Sequence, residues 1–234
     1  MALPKLNTQT FELNIPSTDE KVKYRPFLVK EEKILLQAQQ SDVQTEISDA
    51  LVQVIQNCTF NKVKVEQLPS FDIEYIFLKI RSKSVGEKVD IMVTCPDDNE
   101  TKVKTTVDLA KLEVEVDDDH NNVVELTDSV KVVMAYPTIK TFSGANVQNM
   151  TAESIISMTT KCIHQIIDGV ETYEASDLEQ KELEEFLENL TQEQFAKIQM
   201  FFTTMPRLKH VVNVTNPKTK KKGKVTLQGM QSFF

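Results

Sequence analysis

The hydrophobic period of this chain changes in blocks, and the order of those blocks limits the folds open to it. Val43, Ile47, Ala50, Leu51, Val54, Ile55 and Cys58 recur at steps of one, three and four, and so do Ile73, Ile76, Phe77 and Ile80, so each set lies along one stripe of a helix. From Gly86 the period becomes two. Val89, Ile91 and Val93, then Val103, Thr105 and Val107, alternate with polar neighbours on either side of the turn-like Cys95-Pro96-Asp97-Asp98-Asn99, which predicts a β-hairpin. Strand-like runs continue over 112–116, 123–126 and 130–136. Helical spacing returns at Ile155, Thr159, Cys162, Ile163 and Ile166, then at Leu183, Phe186, Leu187 and Leu190, then at Phe195, Ile198, Phe202 and Met205. Two strand-like runs, 208–215 and 224–227, close the chain around Asn216-Pro217 and a lysine-rich turn. Blocks that are segregated in this way predict an α+β fold, a helical body with antiparallel β-hairpins, and not a doubly wound sheet.

Local signals refine the boundaries. Residues 29–40 favour helix, and Pro26 suits the turn or helix entry before them. Ser41-Asp42 interrupts that helix, and Ser41 with Gln44 has capping-box spacing, so a second helix is expected to start there and pack on the first as a hairpin. Thr151, Ser176 with Glu179, and Thr191 with Gln194 mark three further helix starts. Residues 9–15 and 21–24 look like an extended N-terminal arm, and 169–174 a short turn or strand. The expected organisation is an arm and helical region over 1–85, a β-rich insertion over 86–148, a second helical region packing with the first over 149–207, and a hairpin with an aromatic tail over 208–234.

Composition narrows the functions. The chain has 234 residues and a net charge of −8, enough to build a core without disulfides or metal. It has only 5 glycines where average usage would give about 16, and they are scattered, so no phosphate-cradling loop can form. Three separated cysteines point to reduced thiols. No run is long and apolar enough for a membrane span, and residues 1–10 lack the apolar core of a secretion signal.

Among chemistry-bearing residues, Cys162 and His164, read on one helix, would point to different faces and make a poor joint site. Asp117-Asp118-Asp119, next to His120, lacks the ligand alternation of a calcium loop and reads as a solvated turn. Residues 171–193 carry nine acids against one base, Lys181, which makes an acidic outer face. Lys218, Lys220, Lys221, Lys222 and Lys224 form the opposite block. With no interleaved aromatic to stack on bases, they suit an acidic protein partner better than nucleic acid. Phe233 and Phe234 end the chain and would gain by burial, on the protein's own core or in a partner.

Three strings carry a resemblance. Tyr24-Arg25-Pro26-Phe27-Leu28-Val29-Lys30-Glu31-Glu32-Lys33, the segment from Phe71-Asp72-Ile73 through Arg81-Ser82-Lys83-Ser84-Val85-Gly86, and the closing Leu227-Gln228-Gly229-Met230-Gln231-Ser232-Phe233-Phe234 resemble the baseplate hub and hub-assembly proteins of T4-like contractile-tailed bacteriophages. Members of that family often carry Cys pairs in two ribbon-like hairpins, at places matching 94–101 and 214–223. Here the first keeps only Cys95-Pro96 and the second has no Cys, so one thiol cannot hold a structural zinc, and the ribbons are expected to stand on packing and strand pairing alone. The resemblance implies a structural or assembly component of the hub, present in the host cytoplasm during assembly and in the tail baseplate if it is a permanent subunit. Its implied partners are other hub proteins, with no cofactor, metal or small-molecule substrate; a transient assembly chaperone, a hub-associated hydrolase and a nucleic-acid-binding module are the alternatives. Tyr24, Arg25, Phe27, Lys30 and Arg81 form the candidate partner-binding cluster, joined by Lys220, Lys221, Lys222, Phe233 and Phe234. Arg25 and Arg81 have a second reading, as ties from the arm to the helical body through carboxylates such as Glu31 or Glu74.

Overall fold

A computed structural model describes residues 7–41, 43–141 and 151–229, with the side chain of Gln44 outside that description. The fold is α+β, with small antiparallel sheets, none of them closed. In chain order the elements are β1 (Phe11–Asn14), β2 (Lys21–Tyr24), α1 (Val29–Ser41), α2 (Gln44–Cys58), α3 (Ser70–Val85), β3 (Lys88–Thr94), β4 (Lys102–Asp108) and β5 (Val114–Glu115). Next come β6 (Val123–Glu125), β7 (Val130–Met134), α4 (Ala152–Thr160), β8 (Ile163–Asp168), β9 (Glu171–Glu174), α5 (Gln180–Glu188) and α6 (Gln192–Thr204), and finally β10 (Arg207–Thr215) and β11 (Lys222–Gln228). The chain divides into two units: one is Met1–Glu115 with Arg207–Phe234, the other Val116–Pro206.

In the first unit α3 is the central element. The sequence places Ile73, Ile76, Phe77 and Ile80 on one stripe, but Phe71, Tyr75 and Leu78 are buried as well, so the helix is covered on most sides. It ends at Gly86, whose φ of 120° is open to glycine and strained for other residues. Val54, Ile55 and Cys58 of α2 are buried on the predicted stripe, and α1 packs against α2. Ser41 does not cap α2. It ends α1, its hydroxyl donating to the Ala38 carbonyl, and the residue before α2 is Val43, which makes no side-chain cap. The N-terminal arm is a hairpin, with Phe11 opposite Tyr24 and Asn14 opposite Lys21.

Two longer hairpins complete this unit. β3 and β4 pair from Lys88↔Asp108 to Thr94↔Lys102, and β10 and β11 from Lys209↔Gln228 to Thr215↔Lys222. Each alternates as period two requires: Ile91, Val93 and Val107 are buried on one, Leu208, Val212, Val214 and Leu227 on the other. The base of β10 pairs with β5 through Arg207↔Glu115 and Leu208↔Val114.

The second unit is a four-stranded antiparallel sheet, β6-β7-β8-β9, whose apolar face meets α5 and α6 in a core that includes Val132, Ile166, Leu183, Leu187, Ile198 and Phe201. The helix expected to carry Cys162, Ile163 and Ile166 stops at Thr160. Ile163 pairs with Met134 and Ile166 with Val132, so the Ile163-to-Asp168 run is a strand. Its β-branched residues suit a half-buried sheet, and pairing with β7 overrides the helical spacing. Thr151 and Thr191 cap as expected, Thr191 in a full box with Gln194. Ser176 does not. It sits in a short 3₁₀ turn, and the box before α5 is made by Glu179 with Glu182.

Candidate functional site

The turns that close β3–β4 and β10–β11 share one backbone design. Each starts with an X-Pro pair, Cys95-Pro96 or Asn216-Pro217, in which proline fixes φ for a turn. The Asn99 N–H donates to the Cys95 carbonyl at 3.0 Å, and the Lys220 N–H to the Asn216 carbonyl at 2.9 Å. Asn99 and Lys220, each four residues after its turn's first residue, have φ of 55° and 62°. The Cys95 N–H donates to the Thr101 carbonyl at 2.7 Å, and the Asn216 N–H to the Lys221 carbonyl at 2.9 Å, so the second turn closes one residue sooner than the first.

A polar clamp joins the two tips. Asn216 has no exposed surface. Its side-chain oxygen accepts the Lys218 N–H at 2.8 Å and the Thr219 N–H at 3.3 Å within its own turn. Its amide nitrogen donates across to Asp97 Oδ1 at 2.9 Å and Asp98 Oδ2 at 2.8 Å. Thr219 Oγ1 donates to Asp97 as well. Asp98 is also braced within its own turn by the Thr101 hydroxyl and the N–H groups of Thr101 and Glu100. Both carboxyls are therefore held below the ordinary carboxylate range: Asp98 mainly by the Thr101 hydroxyl, Asp97 mainly by Thr219 and then Asn216. Gly223 lets the tips close up, since a Cβ there would lie 2.5 Å from Pro96 Cγ. The ribbons thus hold by more than packing and pairing.

The lysine block is carried on this clamped tip. Lys218, Lys220, Lys221, Lys222 and Lys224 are all exposed, and none forms an ion pair with a described acid. The arrangement can present fixed positive charge to an acidic surface. Cys95 is buried, and burial raises its thiol above the ordinary value.

The other predicted residues divide between burial and exposure. Tyr24 is buried at the end of β2, and burial, then the Glu87 charge, raises its pKa. Arg25 forks onto Glu31, with Nη2–Oε1 at 3.0 Å and Nη1–Oε2 at 3.3 Å, while its N–H donates to the Cys58 carbonyl. Lys30, exposed, approaches the same carboxylate at 3.4 Å. The Phe27 N–H donates to Ser84 Oγ at 2.9 Å, fastening the segment to α3. Arg81 lies half-buried on α3, its pKa lowered by burial. Arg25 and Lys30 are thus brought together on Glu31, and the Arg25–Glu31 pair is one of the ties expected between the arm and the helical body. Phe233 and Phe234 lie outside the described residues.

His164 is in β8, not on a helix with Cys162. His120 stacks on Tyr136, with Nε2 2.9 Å from the Tyr136 hydroxyl and Nδ1 3.0 Å from Thr204 Oγ1; burial lowers its pKa. Among the described residues no group of three or more His, Cys, Asp or Glu is placed to hold a metal ion, and no helix is long and apolar enough to cross a membrane. Sequence reasoning missed Asp97, Asp98, Asn216 and Thr219 as a unit. The signal was there in the repeated X-Pro at 95–96 and 216–217.

A family model described as T4 bacteriophage base plate protein matches residues 7–234. No curated protein and no solved structure matches the chain.

Proposed function

We propose that this chain, which belongs to the T4 bacteriophage base plate protein family, is a structural or assembly component of the central hub of a contractile-tail baseplate and acts by protein–protein binding. It is a phage baseplate protein whose partners are other baseplate proteins; the hub, and binding without covalent chemistry, are the finer reading. The strings at 24–33, 71–86 and 227–234 support the hub. The observation that carries the mode of action is the clamped pair of hairpin tips. Asn216 and Gly223 hold a lysine-rich turn in place before any partner arrives, and a surface ordered in advance loses less entropy on binding.

In this reading Lys220, Lys221 and Lys222 meet an acidic patch on a neighbouring hub protein, steering encounter and fixing register. Tyr24, Arg25, Phe27 and Arg81 act as the frame behind the exposed Lys30, and Phe233 and Phe234 as an anchor. The test is mass spectrometry of purified tails and of assembly intermediates from an infection. Presence in mature tails means a permanent subunit, and presence only in intermediates means a transient chaperone. Absence from both would overturn the hub role.

A further inference from the structure

The second unit contains a cleft shaped for a basic side chain. It lies between the end of the sheet and α5, with a volume of about 240 Å³. Ile166, Leu183 and Phe186 contribute apolar wall, Tyr173 a second ring, and Asp168 and Glu182 bring two carboxylates to it. Ile166 and Leu183 are buried, while Asp168 and Glu182 are exposed, so the charge sits towards solvent and the apolar surface below it. Glu182 is held in place: it accepts the Glu179 N–H at 2.8 Å in the α5 capping box.

An apolar slot with carboxylates at its mouth matches a lysine, whose four-carbon stem buries while its ammonium stays at the water boundary. Aromatic rings beside the ammonium add attraction. The surroundings repel anions, since residues 171–193 carry nine acids and one base. The chain also contains the complementary feature. Residues 207–228 carry seven basic residues and no acid, and the five lysines from 218 to 224 lack an ion-pair partner among the described residues. One chain therefore carries an open acidic cleft and an unpaired lysine tip.

We propose that the cleft bounded by Asp168, Tyr173, Glu182 and Phe186 receives a lysine from the 218–224 tip of a second copy of this chain, joining copies head to tail. The contact is heterologous, so a row of copies keeps one cleft free at one end and one tip free at the other. It goes beyond the hub role, since the tip left free at the end of such a row is the one that meets a neighbouring hub protein; the contact between copies is read on the purified chain alone, so either can fail without the other.

The experiment is sedimentation velocity of the full chain over a concentration series, at about 0.05 M and about 0.5 M salt, where screening of exposed charges differs strongly. The wild type should self-associate at low salt and dissociate at high salt. Two variants separate the halves: a tip variant with Lys220→Glu, Lys221→Glu and Lys222→Glu, and a cleft variant with Asp168→Asn and Glu182→Gln, the latter keeping a residue suited to the capping box. Each variant alone should associate at least about tenfold more weakly, the loss expected for one charge-assisted hydrogen bond. Mixed, they should form a one-to-one dimer, because the tip variant keeps its cleft and the cleft variant keeps its tip. Circular dichroism melts of both variants check that they fold. A wild type that stays monomeric at low salt, a cleft variant that associates like wild type, or a mixture of folded variants that does not pair would each overturn the proposal.

Discussion

Glu31 has no exposed surface, yet it sits where four donors converge: the two guanidinium N–H groups of the Arg25 fork, the Leu28 N–H at 2.8 Å and the Lys30 ammonium. Burial alone would raise its pKa, but these partners outweigh it and the net shift is downward. A depressed carboxyl contributes stability that is present above its unfolded value, ordinarily 4.5, and is lost as pH falls through the depressed one. Glu31→Gln leaves the Arg25 guanidinium without its counter-charge in a nearly closed site, so urea unfolding at neutral pH should show a loss of about 3 kcal/mol. Much of that loss should disappear when the same comparison is made well below the carboxylate range. The thiols give a second outcome. Burial raises Cys58 to about 11 and Cys162 to about 12, so at pH 8 only on the order of one Cys58 in a thousand is thiolate. A thiol-reactive dye should label the native chain slowly and the denatured chain fast. Arg25 and Glu31 could be paired from sequence because they lie six residues apart across one turn. Ser17 bonding to Asp72 could not, since no periodicity links residues 55 apart.

Among the elements, those whose signal is local were the most legible. The hairpins at 88–108 and 207–228 follow from alternation around an X-Pro turn, and α6 from its cap. The β8 strand was not, because Cys162, Ile163 and Ile166 fit a helical stripe equally well and only pairing with β7 decides. The clamp between the hairpins was hidden for a related reason: it joins residues about 120 positions apart, where sequence pattern is silent. Asn216→Ala removes two of the three cross-tip bonds, leaving that from Thr219 to Asp97, and the acceptor for two backbone N–H groups, and should cost about 1–3 kcal/mol. Gly223→Ala, by driving a methyl into Pro96 and pushing the tips apart, should cost a similar amount, about 1–3 kcal/mol. Urea unfolding measures both, and amide exchange at 95–101 should speed up in each. Asp97 and Asp98 titrate below their ordinary 3.8, so the clamp's contribution is full above that value and fades as pH falls through the depressed range. Melts between pH 7 and pH 5 should therefore differ little on account of this pair.

For the whole molecule, the division at 115/116 and 206/207 implies two cooperative blocks. The Val116–Pro206 unit has its own sheet and core, so residues 116–206 expressed alone should melt cooperatively, checked by calorimetry and circular dichroism. A fragment without a transition would show that its core depends on the rest of the chain. This unit is continuous in sequence, and the residues flanking it, Glu115 and Arg207, face each other in an antiparallel ladder. Directly opposed strand ends of that kind are what a two-residue Asn-Gly turn closes in a hairpin. Replacing residues 116–206 by such a two-residue turn should thus leave β5 and β10 joined and the first unit's pairings intact, and length variation among relatives should concentrate between those two positions.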